Sequence, residues 1–215
     1  MDPIAQLAFS CIGGKPRPTK VGYSKTEGSA NATSLVISTP TGTADGDLMV
    51  AFLFAGGGSN NVGSWTNANW TFAMANTTIP NLAVAYRIAS SEGASTTFTA
   101  GASCKLGGII RTYRNARFGV IGTLATGTNT TVTASSITVV DNNSVFVGLF
   151  ANNSQNVTWT NNTGMTFLDE LVNDSFSHSW YITEADVDAG ATGSKSVSSS
   201  VSAAFQTTLV SISPA

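Results

Sequence analysis

The feature that most constrains this chain is an apolar run at residues 48–55, LMVAFLFA, opened by Gly46-Asp47. Eight apolar residues in succession leave no polar face, so a strand built from them needs cover on both sides. The run has an echo. Setting Asp45 on Asp141 places Leu53, Phe54 and Ala55 opposite Leu149, Phe150 and Ala151 without a gap. Further matches follow in the same order: Trp65-Thr66-Asn67 with Trp159-Thr160-Asn161, Thr71-Phe72 with Thr166-Phe167, Tyr86 with Tyr181, and Ile109-Ile110 with Leu209-Val210. The chain therefore reads as two related halves, residues 34–116 and 131–213.

Short β-prone segments separated by Gly, Asn, Pro and Ser clusters fill both halves. Strands are expected at residues 34–38, 47–55, 70–75, 82–89, 96–100 and 107–114, and again at 131–139, 145–151, 165–172, 178–183, 194–201 and 206–212. The segment between the halves, with Phe118, Val120, Ile121 and Leu124, is too short and too apolar for a free linker. The expectation is one all-β domain over residues 29–215, a jelly-roll-like or Greek-key β-sandwich of about 12 strands, each sheet drawing strands from both halves.

Composition narrows the function. Only 10% of residues are charged and the formal net charge is −2, so no basic field exists to neutralise a row of phosphates, and nucleic acid is excluded as a partner. No stretch reaches the ~18 apolar residues of a membrane span. The first residues lack the basic start and apolar core of a secretory signal. Cys11 and Cys104 are too few for a disulfide framework and match no metal spacing; two idle thiols or a single bridge remain open. A surface so weakly charged is poorly protected against association, which points to assembly.

Candidate chemistry is sparse. His178 is the only histidine and stands beside Trp180 and Tyr181, with Asp169, Glu170 and Asp174 across a turn. Acid–base or metal work needs a converging second group, so a structural role is expected. No nucleophile elbow accompanies the many serines. A glycosidase-like carboxylate pair would combine Asp45 or Asp47 with Glu92 or Glu184, yet the GTADGD turn suits backbone-bonding aspartates better. Residues 55–59, AGGGS, follow a strand but lack the helix and Gly-Lys-Ser/Thr of a phosphate loop. Asn-x-Ser/Thr triplets such as those at Asn31, Asn76, Asn129 and Asn156 carry no weight in so Asn/Thr-rich a chain. No catalytic residue, metal or cofactor is expected. The aromatics Trp65, Trp70, Trp159, Trp180, Tyr86, Tyr113 and Tyr181 fit core packing first and sugar stacking second, with a protein interface third.

Residues 1–28 differ from the rest. Lys15-Pro16 and Arg17-Pro18 fix an extended path, and Lys15, Arg17, Lys20 and Lys25 are four of the ten basic residues. Two readings stand: an ordinary leading strand, or an arm docking on a neighbouring subunit through Pro16, Arg17, Pro18, Lys20 and Tyr23.

The order Gly46-Asp47-Leu48-Met49-Val50, a Gly/Asn loop, Trp70-Thr71, then Ala85-Tyr86-Arg87-Ile88-Ala89, Glu92 and Thr97-Phe98-Thr99 resembles a widespread class of tailed-phage virion proteins. The likeness covers residues 35–114 and reaches the second half only through the repeat, where Asn142-Asn143 replaces Gly-Asp and Ile182-Thr183 replaces Arg-Ile. It implies a non-enzymatic structural role in a virion. The expectation is a capsid decoration, or cement, protein, made in the host cytoplasm, trimeric, and bound outside the shell to the major capsid protein and to copies of itself. A tail, collar or fibre subunit is the alternative, and a carbohydrate-binding module the alternative from another class.

Overall fold

The computed structural model describes residues 14–58, 64–161, 164–171 and 179–215. Within them the chain is a β-sandwich of antiparallel sheets, and no helix is long and apolar enough to cross a membrane. The first half supplies β1 (Thr19–Ser38), β2 (Leu48–Gly58), β3 (Thr71–Ala75), β4 (Asn81–Ile88) and β5 (Ser95–Arg114), paired in the order β1-β5-β2-β4-β3. The second supplies β6 (Ala116–Ile121), β7 (Ala125–Ala134), β8 (Thr138–Val139), β9 (Ser144–Asn152), β10 (Trp159–Asn161), β11 (Thr166–Leu171), β12 (Ser179–Val187), β13 (Gly190–Ala191) and β14 (Lys195–Pro214). Its main sheet runs β10-β14-β9-β12-β11, with β6 and β7 also on β14 and a separate β8–β13 pair.

Two expectations are corrected here. The main sheets do not mix the halves: each is drawn from one half. Several expected strands also fuse. Residues 96–100 and 107–114 are the two ends of β5, the expected strands 194–201, from Lys195 on, and 206–212 lie in β14, and residues 34–38 close β1, each of the three strands being 20 residues long. Residues 101–106 separate two expected strands, but the backbone stays extended through them and the ribbon bends through register shifts at Glu27/Asn31 and Ala32/Ser34. Beyond the bend, the β1–β5 ribbon lies over the outer face of its own sheet. A Cβ on Gly108 would meet Leu35, Ile37 and Leu53 side chains at 2.9–3.0 Å, so only glycine lets that close approach occur.

The bend explains why residues 48–55 are continuously apolar. Leu48, Val50, Phe52 and Phe54 point into a central core shared with Val145, Val147, Leu149 and Ala151 of β9. Met49, Ala51, Leu53 and Ala55 point into an outer core closed by Leu35, Ile37 and Phe98 of the folded-over ribbon. The second half repeats the device, with Phe146 and Phe150 covered by Val132, Ala134 and Val197 of β7 and β14. Three apolar cores thus alternate with layers of strand.

Pairing also sets the relation between the halves. Trp65-Thr66-Asn67 and Trp159-Thr160-Asn161 occupy like positions, Thr66 bridging Thr99 while Trp159 and Thr160 pair with Ser199 and Ser198. Thr71-Phe72 and Thr166-Phe167 do too, each followed by a bulge, before Met74 and Asp169. In the central strands, however, the ungapped letter match is one residue off. Leu53 faces the outer core and Leu149 the central one, whereas Phe54 faces the central core and Phe150 the outer one. A slip of one residue turns every side chain to the other face. Matching by face sets Phe52 against Leu149, Gly46 against Asn143 and Leu82 against Trp180. Gly46 and Asn143 both hold positive φ, at 88° and 59°. Tyr86 and Tyr181 likewise part: Tyr86 packs at the central core against Phe118, Tyr181 in the outer core against Trp159.

Candidate functional site

Of the residues expected to meet a neighbouring subunit, Arg17 and Lys20 are engaged within the chain. Arg17 pairs with Asp186 and Lys20 with Glu184, both on β12, while Lys25 pairs with Asp169 of β11 at 3.0 Å and with Glu27 at 2.7 Å. Asn143 Nδ2 donates to the Lys15 carbonyl at 3.1 Å. Pro16 is exposed and Pro18 buried. Tyr23, 56% exposed, offers its ring to Arg111 at 5.6 Å. From Thr19 onward this segment is the start of β1, and its cations clamp the first half onto the acidic edge of the second.

Behind that clamp lies a buried polar group. Glu184, 3% exposed, sits 3.9 Å from the Arg111 guanidinium. Tyr113 is wholly buried, and its hydroxyl is pushed up to about 12 by burial, helped by the charge of Glu184 and opposed by Arg111. Lys25 is held above the ordinary lysine value: burial works against its charge, but the hydrogen bonds to Glu27 and Asp169 outweigh it.

The four candidate carboxylates each have structural work. Asp47 receives two hydrogen bonds from Arg114, at 2.9 and 3.0 Å, and the Ala44 N–H at 2.9 Å. Burial alone would raise its pKa; these donors outweigh burial and hold it below the usual carboxylate range. Asp45 accepts the Ser91 N–H at 2.6 Å, closing the turn. Glu92 accepts from Ser90 N–H and pairs with Arg87, both at 2.9 Å. Glu184 belongs to the clamp. Asp169 is paired, and neighbouring Glu170 is pushed up by burial and by the Asp169 charge. His178, Asp174 and Cys11 lie outside the described residues, as does part of the AGGGS segment. Cys104 is a buried free thiol, its pKa raised by burial. Among the described residues no group of three His, Cys, Asp or Glu side chains converges to hold a metal.

The aromatics pack inward. Trp65, Trp70, Trp159 and Trp180 are all under 9% exposed, and Phe54 stacks on Trp180 across the central core at 4.7 Å. Core packing is what these rings do, and none of the four offers an open face to a sugar.

Two surface features escaped the sequence reading. The first is β7. Among the described residues it pairs with β14 alone, residues 126–131 are exposed in succession, and no charge occurs from residue 118 to 140. That uncharged run was the available signal. The second is a polar cleft of about 440 Å³ lined by Asn67, Asn69, Trp70, Arg87, Glu92 and Thr97. It adjoins a more apolar depression of about 650 Å³ lined by Trp65 and Phe72, and the two share Asn67 and Thr97. These residues come from three separate stretches, so no motif announces them.

No protein family matches the chain, and neither the curated proteins nor the solved structures hold a match.

Proposed function

We propose that this chain is a non-enzymatic structural protein of a tailed-phage virion, a capsid decoration protein that bridges shell subunits from outside as a trimer. The observation that carries the reading is the β7 edge. Edge strands of soluble proteins are normally blunted by lysine, proline or a bulge, because their unpaired N–H and C=O groups template further pairing. Thr126–Gly127–Thr128–Asn129–Thr130–Thr131 carries no lysine and no proline, and its one irregularity is the register shift at Thr130, opposite Ser198/Ala203 of β14. Such an edge takes an extended segment of a neighbour through main-chain hydrogen bonds, with a hydroxyl-rich surface around it. Arg17, Lys20 and Lys25 are engaged within the chain, which favours β7 as the docking element.

The test is co-sedimentation of purified chain with undecorated shells, beside the shells' heat tolerance. Binding with a raised melting temperature supports the reading, and Thr128→Lys with Thr130→Lys should weaken binding at least tenfold while the free protein's own melting temperature stays put. Purified chain that neither sediments with shells nor protects them ends it. Cryo-EM density on the tail instead of the shell would move the assignment to a tail subunit.

A further inference from the structure

We propose that the cleft and its adjoining depression form one groove that binds a neutral glycan. The argument starts from a comparison internal to the molecule. Where the fold requires a residue, both halves supply it: Trp65 and Trp159, Asn67 and Asn161, Phe72 and Phe167 hold the same pairing positions. The cleft's other walls have no such counterpart. Met165 precedes Thr166 as Trp70 precedes Thr71; Ala185, opposite Phe146, takes the position that Arg87 takes opposite Met49; Gly190 lies where Glu92 does. The scaffold folds without these groups in the second half, so their presence in the first calls for another reason.

The chemistry of the walls selects the ligand class. Arg87 and Glu92 neutralise each other at 2.9 Å, leaving no uncompensated charge to hold a phosphate, a sulfate or a metal. What remains is a mixed set of donors and acceptors, from the amide of Asn69 and the hydroxyls of Thr97 and Thr99, while Asn67 holds the wall in shape by donating to the Thr97 carbonyl and accepting the Asn69 N–H. Half-buried Phe72 and the edge of Trp65 add an apolar floor to the depression. An apolar floor with neutral polar walls suits a sugar ring, which has a C–H face and a belt of hydroxyls. Trp70 lines the cleft, and its buried indole N–H has no acceptor among the described residues. Each of the two volumes, about 440 and 650 Å³, lies within the range of small-molecule pockets.

The experiment applies the whole chain to an array of neutral gluco-, manno- and galacto-oligosaccharides printed beside sialylated and sulfated glycans, followed by calorimetric titration of the best neutral hit. Binding to neutral glycans is expected, with at least a tenfold loss in Asn69→Arg and in Thr97→Trp, two exposed positions whose larger side chains fill the groove. Ser198→Trp, at the second half's counterpart of the groove residue Thr99, should leave affinity unchanged. Circular dichroism melts confirm that each variant is folded. No binding to any neutral glycan, binding confined to acidic glycans, or affinity indifferent to both groove variants overturns the proposal. The groove lies away from β7 in sequence and in sheet, so shell binding and glycan binding fail independently.

Discussion

The two halves share a backbone plan and differ in what fills it. In the central core Phe54 and Leu82 of the first half face Ala151 and Trp180 of the second, at corresponding positions on β2 and β4, and on β9 and β12. Large and small are exchanged, and the exchange is what allows Phe54 and Trp180 to stack at 4.7 Å with an interplanar angle of 7°. Charge is divided in the same complementary way. To residue 115 the chain has eight basic and five acidic residues; beyond it, two and seven. Lys20 and Lys25 meet Glu184 and Asp169 across that divide. Each half is thus built to pair with the other and not with a copy of itself, since two first halves would set Phe54 against Leu82 in place of the indole and Lys20 against Tyr86 in place of a carboxylate.

The largest test of that comparison is Trp180→Ala. Removing a wholly buried indole from the shared core should cost about 3–5 kcal/mol, read from urea unfolding. Because the core belongs to both halves, a single transition is expected; two separated transitions would show the halves to be independent.

Next comes the clamp. Glu184→Ala leaves Arg111 and Lys20 without their carboxylate, and breaking a buried pair costs about 3–5 kcal/mol. Half-exposed Lys20 is screened, so a loss of about 2–3 kcal/mol is expected. Tyr86 holds the corresponding place in the first half, and Tyr86→Phe should be nearly silent beside it.

A finer contrast concerns Gly148, whose counterpart on the first half's central strand is Ala51. Ala51 stands opposite Ala85, but Gly148 stands opposite Thr183, and a Cβ there would meet Thr183 Oγ1 at 2.7 Å and the Phe150 ring at 2.9 Å. Gly148→Ala should cost about 1–3 kcal/mol. Adding Thr183→Ala recreates the first half's pair and should restore part of the loss, measured as a double-mutant cycle.

The smallest expected effect is on acid stability. The folded pKa of Asp47 is depressed, so the stability it contributes is complete above its unfolded value near ~4 and is lost as pH falls through the lower folded value. Glu170, held high by burial, runs the other way, since its protonation on acidification favours the folded state. Asp47→Asn should cost about 1–2 kcal/mol at neutral pH and flatten the decline of the urea midpoint between pH 5 and 3. An unchanged decline would assign acid sensitivity to other groups.

How far the sequence could be read follows from these same residues. Strand identity was legible because apolar runs and turn residues act locally: β2, β4 and β9 fall close to where they were expected. The bends of β1, β5 and β14 were not, because a glycine-rich bend and a glycine turn share one local signature, and only the distant contacts of Leu35 and Ile37 over Gly108 tell them apart. The repeat was visible in its tryptophans, yet its register in the central strands was misread by one residue. Letters do not state which face a side chain takes when both faces are apolar. The N-terminal cations could be seen as a cluster but not as a clamp, since their carboxylates lie some 150 positions away. For the same reason the groove was illegible: Asn67, Arg87 and Thr97 become neighbours only through sheet pairing.

By itself, then, the sequence determined an all-β chain with few charged residues and a central strand that demands cover on both faces, all consequences of composition and short-range pattern. The tertiary structure decided who supplies that cover. The outer face of residues 48–55 is closed by the folded-over β1–β5 ribbon of the same half, and the inner face by the second half. Burial on a second face is a long-range property, fixed by how strands bend and stack and not by the strand that is buried.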